Sequence, residues 1–268
     1  MLRVRPIHYT ARPEPWERLL NALGMVLSED DGGRRVFDSG AGRLALQSGA
    51  EGAAENGSTE LAVEVGDLVE FARRTNLAAQ EDGNSDAGPG TAGTGPAEVI
   101  AAGPAEVVAA VTFAAGEGAA CRITSSDGFS FLADKAAHGA QCADADPALA
   151  VVGVWFTGDT AAAVRTLRQI GARPRPVPDN DETADFTAKN GGILLVRPAS
   201  GTPRAGLGFE YQGTLDPLRE RLTAAGFEVS LTEEAFGRTL HVAHPDADAA
   251  AASHVPATLW ISERRPMG

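Results

Sequence analysis

The sequence predicts an α+β protein of four βαβββ units, arranged as two domains with curled mixed β-sheets. Three observations lead there. A short strand followed by an amphipathic helix and further strands recurs along the chain. Glycine closes three of the helices, and two long stretches about 147 residues apart run through the same order of elements. The four leading strands fall near residues 3–9, 59–65, 149–156 and 206–211. Helical spacing of i, i+3, i+4 and i+7 follows, as in Trp16, Leu19, Leu20 and Leu23, or in Leu215, Leu218 and Leu222. Gly24, Gly171 and Gly226 stand where a left-handed helix cap is required. Turn residues such as Asp31-Gly32-Gly33 and Pro245-Asp246 separate the strands that come next. In the second unit, strands are expected within 97–113, near 120–125 and over 129–133.

Two low-complexity stretches break the pattern. Gln80 to Pro96 buries too little apolar surface to order itself and reads as a flexible insertion. Residues 136–147, within Asp134 to Pro147, read as a linker, so the domains are expected over 1–135 and 148–268.

The chain has 268 residues, 43% of them apolar, enough for one large core or two smaller ones. The longest nearly unbroken apolar run, Ala148 to Phe156, falls far short of the ~20 residues of a membrane helix, so no membrane partner is expected. No basic stretch followed by an apolar one opens the sequence, and the expected location is cytoplasmic. With 23 basic and 36 acidic residues the net charge is −13, a field that repels a phosphate backbone and argues against nucleic acid. Cys121 and Cys142 read as reduced thiols. Phosphate-loop and nucleophile-elbow motifs are lacking.

Four βαβββ units in one chain resemble the vicinal oxygen chelate superfamily, which includes glyoxalase I, bleomycin-resistance proteins and extradiol dioxygenases. The resemblance is carried by the strand–helix opening that ends at Leu23-Gly24-Met25, by Asp127-Gly128 before FSFLAD, and by His244-Pro245-Asp246 followed by TLWISE. It covers nearly the whole chain and implies glyoxalase-like domains, each pairing two units around a cleft, with helices outside and metal or ligand within. One such scaffold hosts isomerases, lyases, dioxygenases and binding proteins, so chemistry has to be read from the residues that face the cleft.

Strand side chains alternate between faces. In the strand from Thr59, the apolar set Leu61, Val63 and Val65 leaves Glu60, Ala62 and Glu64 for the cleft. Leu44 and Leu46 likewise leave Arg43, Ala45 and Gln47. Leu207, Phe209 and Tyr211 leave Gly206, Gly208 and Glu210, the glycines providing room for a ligand. Trp260 and Ser262 share the cleft face of the last strand, where an indole suits stacking on a flat or apolar ligand. The opening strand is ambiguous: Val4, Pro6 and His8 oppose Arg3, Arg5, Ile7 and Tyr9.

Metal-dependent members of the superfamily take His, Gln or Glu from the first strands of paired units and from matching later strands. The resemblance therefore nominates His8, Gln47 and Glu60 or Glu64 as ligands of a divalent ion. Neither half offers a complete quartet. The leading expectation is a protein that binds a small organic molecule in a concave cleft without a catalytic metal, as a monomer or homodimer. Its candidate ligand-binding residues are His8, Arg43, Gln47, Glu60, Glu64, Glu210, His241 and Trp260, with Glu64 and Glu210 the candidate proton acceptors. The alternatives are a metal-dependent lyase, isomerase or dioxygenase, and a regulatory or interaction module whose clefts are filled.

Overall fold

A computed structural model describes residues 1–85, 106–112, 119–137, 142–176, 183–234, 237–247 and 255–264. The first half runs β1 (Leu2–Val4), β2 (Ile7–Thr10), α1 (Pro13–Leu23), β3 (Val26–Asp30), β4 (Arg34–Asp38), β5 (Arg43–Ser48), β6 (Thr59–Glu60), β7 (Ala62–Val65), α2 (Leu68–Ser85), β8 (Glu106–Thr112), β9 (Ala119–Thr124) and β10 (Ser130–Lys135). The second runs β11 (Leu149–Thr157), α3 (Thr160–Gln169), β12 (Arg173–Arg175), β13 (Ala184–Thr187), β14 (Ile193–Pro198), β15 (Arg204–Gln212), α4 (Asp216–Ala224), β16 (Val229–Glu234), β17 (Gly237–Ala243) and β18 (Thr258–Arg264).

The second half forms one eight-stranded sheet, ordered β12-β13-β14-β11-β15-β18-β17-β16. The first half has the same order split in two: β3-β4-β5-β2-β6 and β1-β7-β10-β9-β8. Pro6 has no N–H to give a ladder, and the opening strand divides around it into β1 and β2. Backbone bonds still cross the break, from the Arg5 N–H to the Ala62 carbonyl and from the Ala45 N–H to the Pro6 carbonyl, both at 3.0 Å. Directions match between the halves as well. β2 lies parallel to β5, as β11 does to β14, and β7 parallel to β10, as β15 does to β18.

Each helix forms because one face of it is apolar and packs on its sheet. In α1 the buried positions are Trp16, Leu19, Leu20, Ala22 and Leu23, and Gly24 ends the helix at φ 88°, its N–H bonded to the Asn21 carbonyl. In α3 the Asp159 carboxylate caps the first turn by accepting from the Ala162 N–H at 2.9 Å. α2 continues through Ser85, so Gln80–Ser85, expected within an insertion, are helical; the rest of that stretch lies outside the described residues.

The helix sides of the sheets of the two halves face one another and share their cores. α1, β4 and β5 pack with Leu207 and Phe209 of β15, with α4, and with Leu259 and Ile261 of β18. β1, β7, β9, β10 and Phe71 of α2 pack with Trp155 of β11, with α3, and with β13 and β14. The halves also exchange turns. The turn after β4 lays Ala41 against β11, with the Ala41 N–H bonded to the Leu149 carbonyl at 3.0 Å and the Val151 N–H to the Ala41 carbonyl at 2.8 Å. Reciprocally, the turn after β13 meets β1: the Asn190 N–H bonds to the Leu2 carbonyl at 2.8 Å and the Val4 N–H to the Gly191 carbonyl at 3.0 Å. Glycine is needed at this contact, since a Cβ on Gly192 (φ 88°) would sit 2.4 Å from that of Val4.

Candidate functional site

Three polar centres stand out: the cleft side of each sheet, and the junction between the halves. On the cleft side of the second sheet, Val152 and Val154 of β11 and Ile193 and Leu195 of β14 make an apolar floor, at most 7% exposed. Phe156 and Trp260 pack over it as half-buried rings. Sequence alternation placed Gly206, Gly208, Glu210, Trp260 and Ser262 correctly, because Phe209 and Ile261 are core residues and every second side chain points away. The room expected over the two glycines is taken, however. A Cβ on Gly208 would lie 2.2 Å from the Trp260 ring and one on Gly206 2.8 Å from Phe156. These glycines admit the protein's own aromatics, which stand half-buried on that face of the sheet.

Glu210 stands at one end of this floor, half-buried rather than fully exposed. The Arg175 guanidinium donates to both its oxygens, at 3.1 and 2.9 Å, and Arg264 lies 3.5 Å away. Burial pushes the Glu210 carboxyl above its ordinary value and Arg175 pulls the other way. His241 does not join it. That imidazole lies on β17 beside Trp260, two strands from β15, and shares a 3.0 Å hydrogen bond with the Thr232 hydroxyl. Arg175, Arg264 and Phe156 escaped the sequence reading because only strand pairing brings them beside Glu210 and Trp260.

On the cleft side of the first sheet, side chains meet in an ion-pair cluster. Glu64 of β7, 4% exposed, takes the Nε–H of Arg3 at 2.7 Å and that of Arg43 Nη1 at 3.0 Å, with Arg5 Nε 3.2 Å away. Arg43 also donates to Asp38 at 2.5 Å and Arg5 pairs with Asp134. All three guanidiniums are buried, and such groups persist in an interior only when paired. Arg43 and Glu64 therefore face the cleft as expected, but each is held by a charged neighbour. Gln47 closes a turn by donating to the Gly33 carbonyl at 3.0 Å, and Glu60 accepts from the Tyr9 hydroxyl at the rim.

His8 points to the core side of β2, level with Leu46, away from the faces that carry Gln47, Glu60 and Glu64, and so cannot share a ligand with them. It belongs with Trp16 of α1, 4.2 Å between ring centres, and with the turn after β17. The Asp246 carboxylate accepts from His8 Nε2 at 2.9 Å, from the Thr10 hydroxyl at 2.6 Å and from Trp16 Nε1 at 2.8 Å. The Thr59 hydroxyl lies 3.0 Å from His8 Nδ1, and His244 Nδ1 accepts the Asp246 N–H at 3.1 Å. His8, His244 and Asp246 are 1%, 5% and 3% exposed, and their donor atoms lie within 4.8 Å of one another. Burial lowers the pKa of both imidazoles, that of His244 to about 4. Two neutral imidazoles and a carboxylate are the right kinds of donor for a divalent ion.

The hydrogen bonds, though, use the lone pairs that an ion would need. With Nδ1 of each ring accepting, the Nε2 of each carries the proton. The junction also has a counterpart in the second half. There Trp155 Nε1 and the Thr157 hydroxyl donate to Asp127, in the turn between β9 and β10, at 3.2 and 2.7 Å. Thr157 matches Thr10 and Trp155 matches His8, each pair 147 residues apart. An indole N–H can only donate, which fits a donor role for His8 Nε2 as well.

Neither a family model nor a curated protein matches this sequence. Solved structures do. A Mn(II)-bound glyoxalase from Novosphingobium aromaticivorans aligns over 98% of this chain and 80% of its own, at 12% identity and a TM-score of 0.58. Homoprotocatechuate 2,3-dioxygenase from Arthrobacter globiformis aligns over 98% and 78%, at 14% identity and 0.55. The chain shares the fold of these glyoxalase and dioxygenase structures. A third match, a halotolerant catechol dioxygenase, covers 98% of this chain and 85% of its own at 12% identity and a TM-score of 0.50. The metal implied by this fold does not fit the cleft sides. Glu64 is surrounded by guanidiniums, and in the second sheet Glu210 shares its face with valines, Trp260 and arginines. By type of donor, the junction group alone among the described residues could hold an ion.

Proposed function

We propose that this chain binds a small, largely apolar, flat organic molecule on the cleft side of its second sheet, without a catalytic metal. One observation carries the reading: an apolar floor roofed by two half-exposed rings, with a clamped carboxylate at its end. Ligand sites commonly combine such apolar walls with a few convergent polar groups. Trp260 and Phe156 would supply stacking surface, and Glu210 with Arg264 would fix orientation through a hydrogen bond or charge. The first sheet would serve as the rigid partner, since its cleft side is already filled by ion pairs.

The test is a thermal-shift and tryptophan-fluorescence screen with planar hydrophobic compounds, run with and without chelator. Ligands should raise the midpoint by mass action, and Trp260→Ala should remove the effect. An unchanged midpoint across the panel, or stabilisation that survives Trp260→Ala, refutes it.

A second reading, a metal-dependent enzyme, is favoured by the donor set of His8, His244 and Asp246 and by the Mn(II)-bound glyoxalase of the same fold. It predicts stoichiometric divalent metal that His8→Ala releases. The enclosure of that group leaves no open coordination position for a substrate, which favours the first reading.

A further inference from the structure

Positions 147 residues apart occupy matching places in the two halves, and this relation exposes a groove that one half fills and that, among the described residues, the other leaves open. In the filled copy, residues Ala145-Asp146-Pro147 lie across the end of α1. The Asp146 N–H bonds to the Gly24 carbonyl at 2.8 Å, and its carboxylate accepts from Arg221 of α4 at 2.9 Å, with the Tyr211 hydroxyl 3.5 Å away. Arg221 also donates to the Leu23 carbonyl at 2.9 Å. Gly40, in the turn after β4, lies directly beneath: a Cβ there would be 2.5 Å from the Asp146 carbonyl.

The matching residues around the end of α3 are Ile170 for Leu23, Gly171 for Gly24, Arg74 for Arg221 and Phe71 for Leu218. They border a groove of about 400 Å³ together with Leu2, Thr75 and Lys189, and with the acidic residues Asp67 and Glu70. Leu2, Phe71 and Ile170 make its floor apolar. The Thr75 hydroxyl, in a residue only 1% exposed, has no hydrogen-bond partner.

We propose that this groove docks an acidic peptide segment of a partner protein, in the manner that Asp146 occupies its counterpart: a backbone N–H on the Gly171 carbonyl, a carboxylate on Arg74, and the following residue toward Lys189. Arg74 is 74% exposed and pairs with Glu70 of its own helix at 2.7 Å. Arg73 holds Glu70 by two further bonds of 2.8 Å, so Arg74 can turn into the groove without leaving Glu70 unpaired. Lys189 adds a second cation to the lining and, with Arg74, balances the carboxylates of Asp67 and Glu70 there. This inference is independent of the cleft of the second sheet.

The probe is acetyl-Ala-Asp-Pro-amide, titrated into the full chain by calorimetry and by amide NMR. The expected result is saturable binding with shifts at Ile170, Gly171 and Lys189. Arg74→Ala, a surface change, should weaken it roughly tenfold and Glu70→Gln strengthen it about twofold, while the Asn peptide binds roughly tenfold more weakly. Absence of binding to the wild type, equal binding of the Asn peptide, or equal binding by Arg74→Ala overturns the proposal. So does a dimer that Arg74→Ala dissociates, which would assign the groove to a second copy of this chain.

Discussion

Replacing Asp246 by alanine removes the acceptor of three buried donors at once. His8 Nε2, the Thr10 hydroxyl and Trp16 Nε1 all come from the first half, whereas Asp246 belongs to the second, so the carboxylate joins the two. Each stranded buried donor costs about 1–3 kcal/mol, and partial relaxation keeps the sum near 4 kcal/mol. At roughly 2–4 °C per kcal/mol for a chain of this size, the midpoint of thermal unfolding should fall by about 8–16 °C. Urea titration should give the same loss at pH 7. Trp16→Phe, which deletes one donor and part of a fully buried ring, should cost about 1 kcal/mol less in the Asp246→Ala background than alone, the difference being the shared hydrogen bond. Chelator should leave the wild-type midpoint where it was, because hydrogen bonds and not an ion hold the junction. A loss under 1 kcal/mol for Asp246→Ala, or additivity with Trp16→Phe, would refute the joining role. A chelator-sensitive midpoint would show that an ion holds it.

Acid should weaken the same junction. His244 titrates near 4 in the folded protein against 6.5 in the unfolded chain, and His8 is also lowered. Stability should therefore be full above pH 6.5 and fall as the pH drops toward 4, by about 3 kcal/mol from His244 alone, measured as urea midpoint against pH. Burial opposes ionisation of Asp246, but bonds from His8, Thr10 and Trp16 keep its pKa below 3.8, so its own contribution is present above that value and is lost only at lower pH. Glu64→Gln should cost about 3–5 kcal/mol in chemical denaturation, since three buried guanidiniums lose their shared charge. Gly208→Ala should displace the Trp260 ring, shifting its fluorescence and costing about 1–3 kcal/mol, and Trp260→Ala should relieve most of that cost.

Much of this fold was legible in the sequence because alternation and helical spacing are local. Leu61, Val63 and Val65 fixed which way Glu64 points, and Phe209 and Ile261 did the same for Glu210 and Trp260. Gly24, Gly171 and Gly226 marked three helix ends, each with a positive φ. What the local pattern could not supply was partners. Nothing near Glu64 in the chain announces three arginines, and nothing near His8 announces an aspartate 238 positions away. Proline 6 blurred the first strand, and with it the face on which His8 lies.

The sequence by itself determined the units, their order and the faces of most strands, since these follow from side-chain polarity at fixed periods. Only the tertiary structure decided that one cleft side is neutralised by ion pairs, that the glycines of the other admit tryptophan and phenylalanine, and that His8 meets Asp246. Those outcomes depend on contacts between distant strands and between halves, where charge, shape and exclusion of water act together over separations that no local pattern encodes.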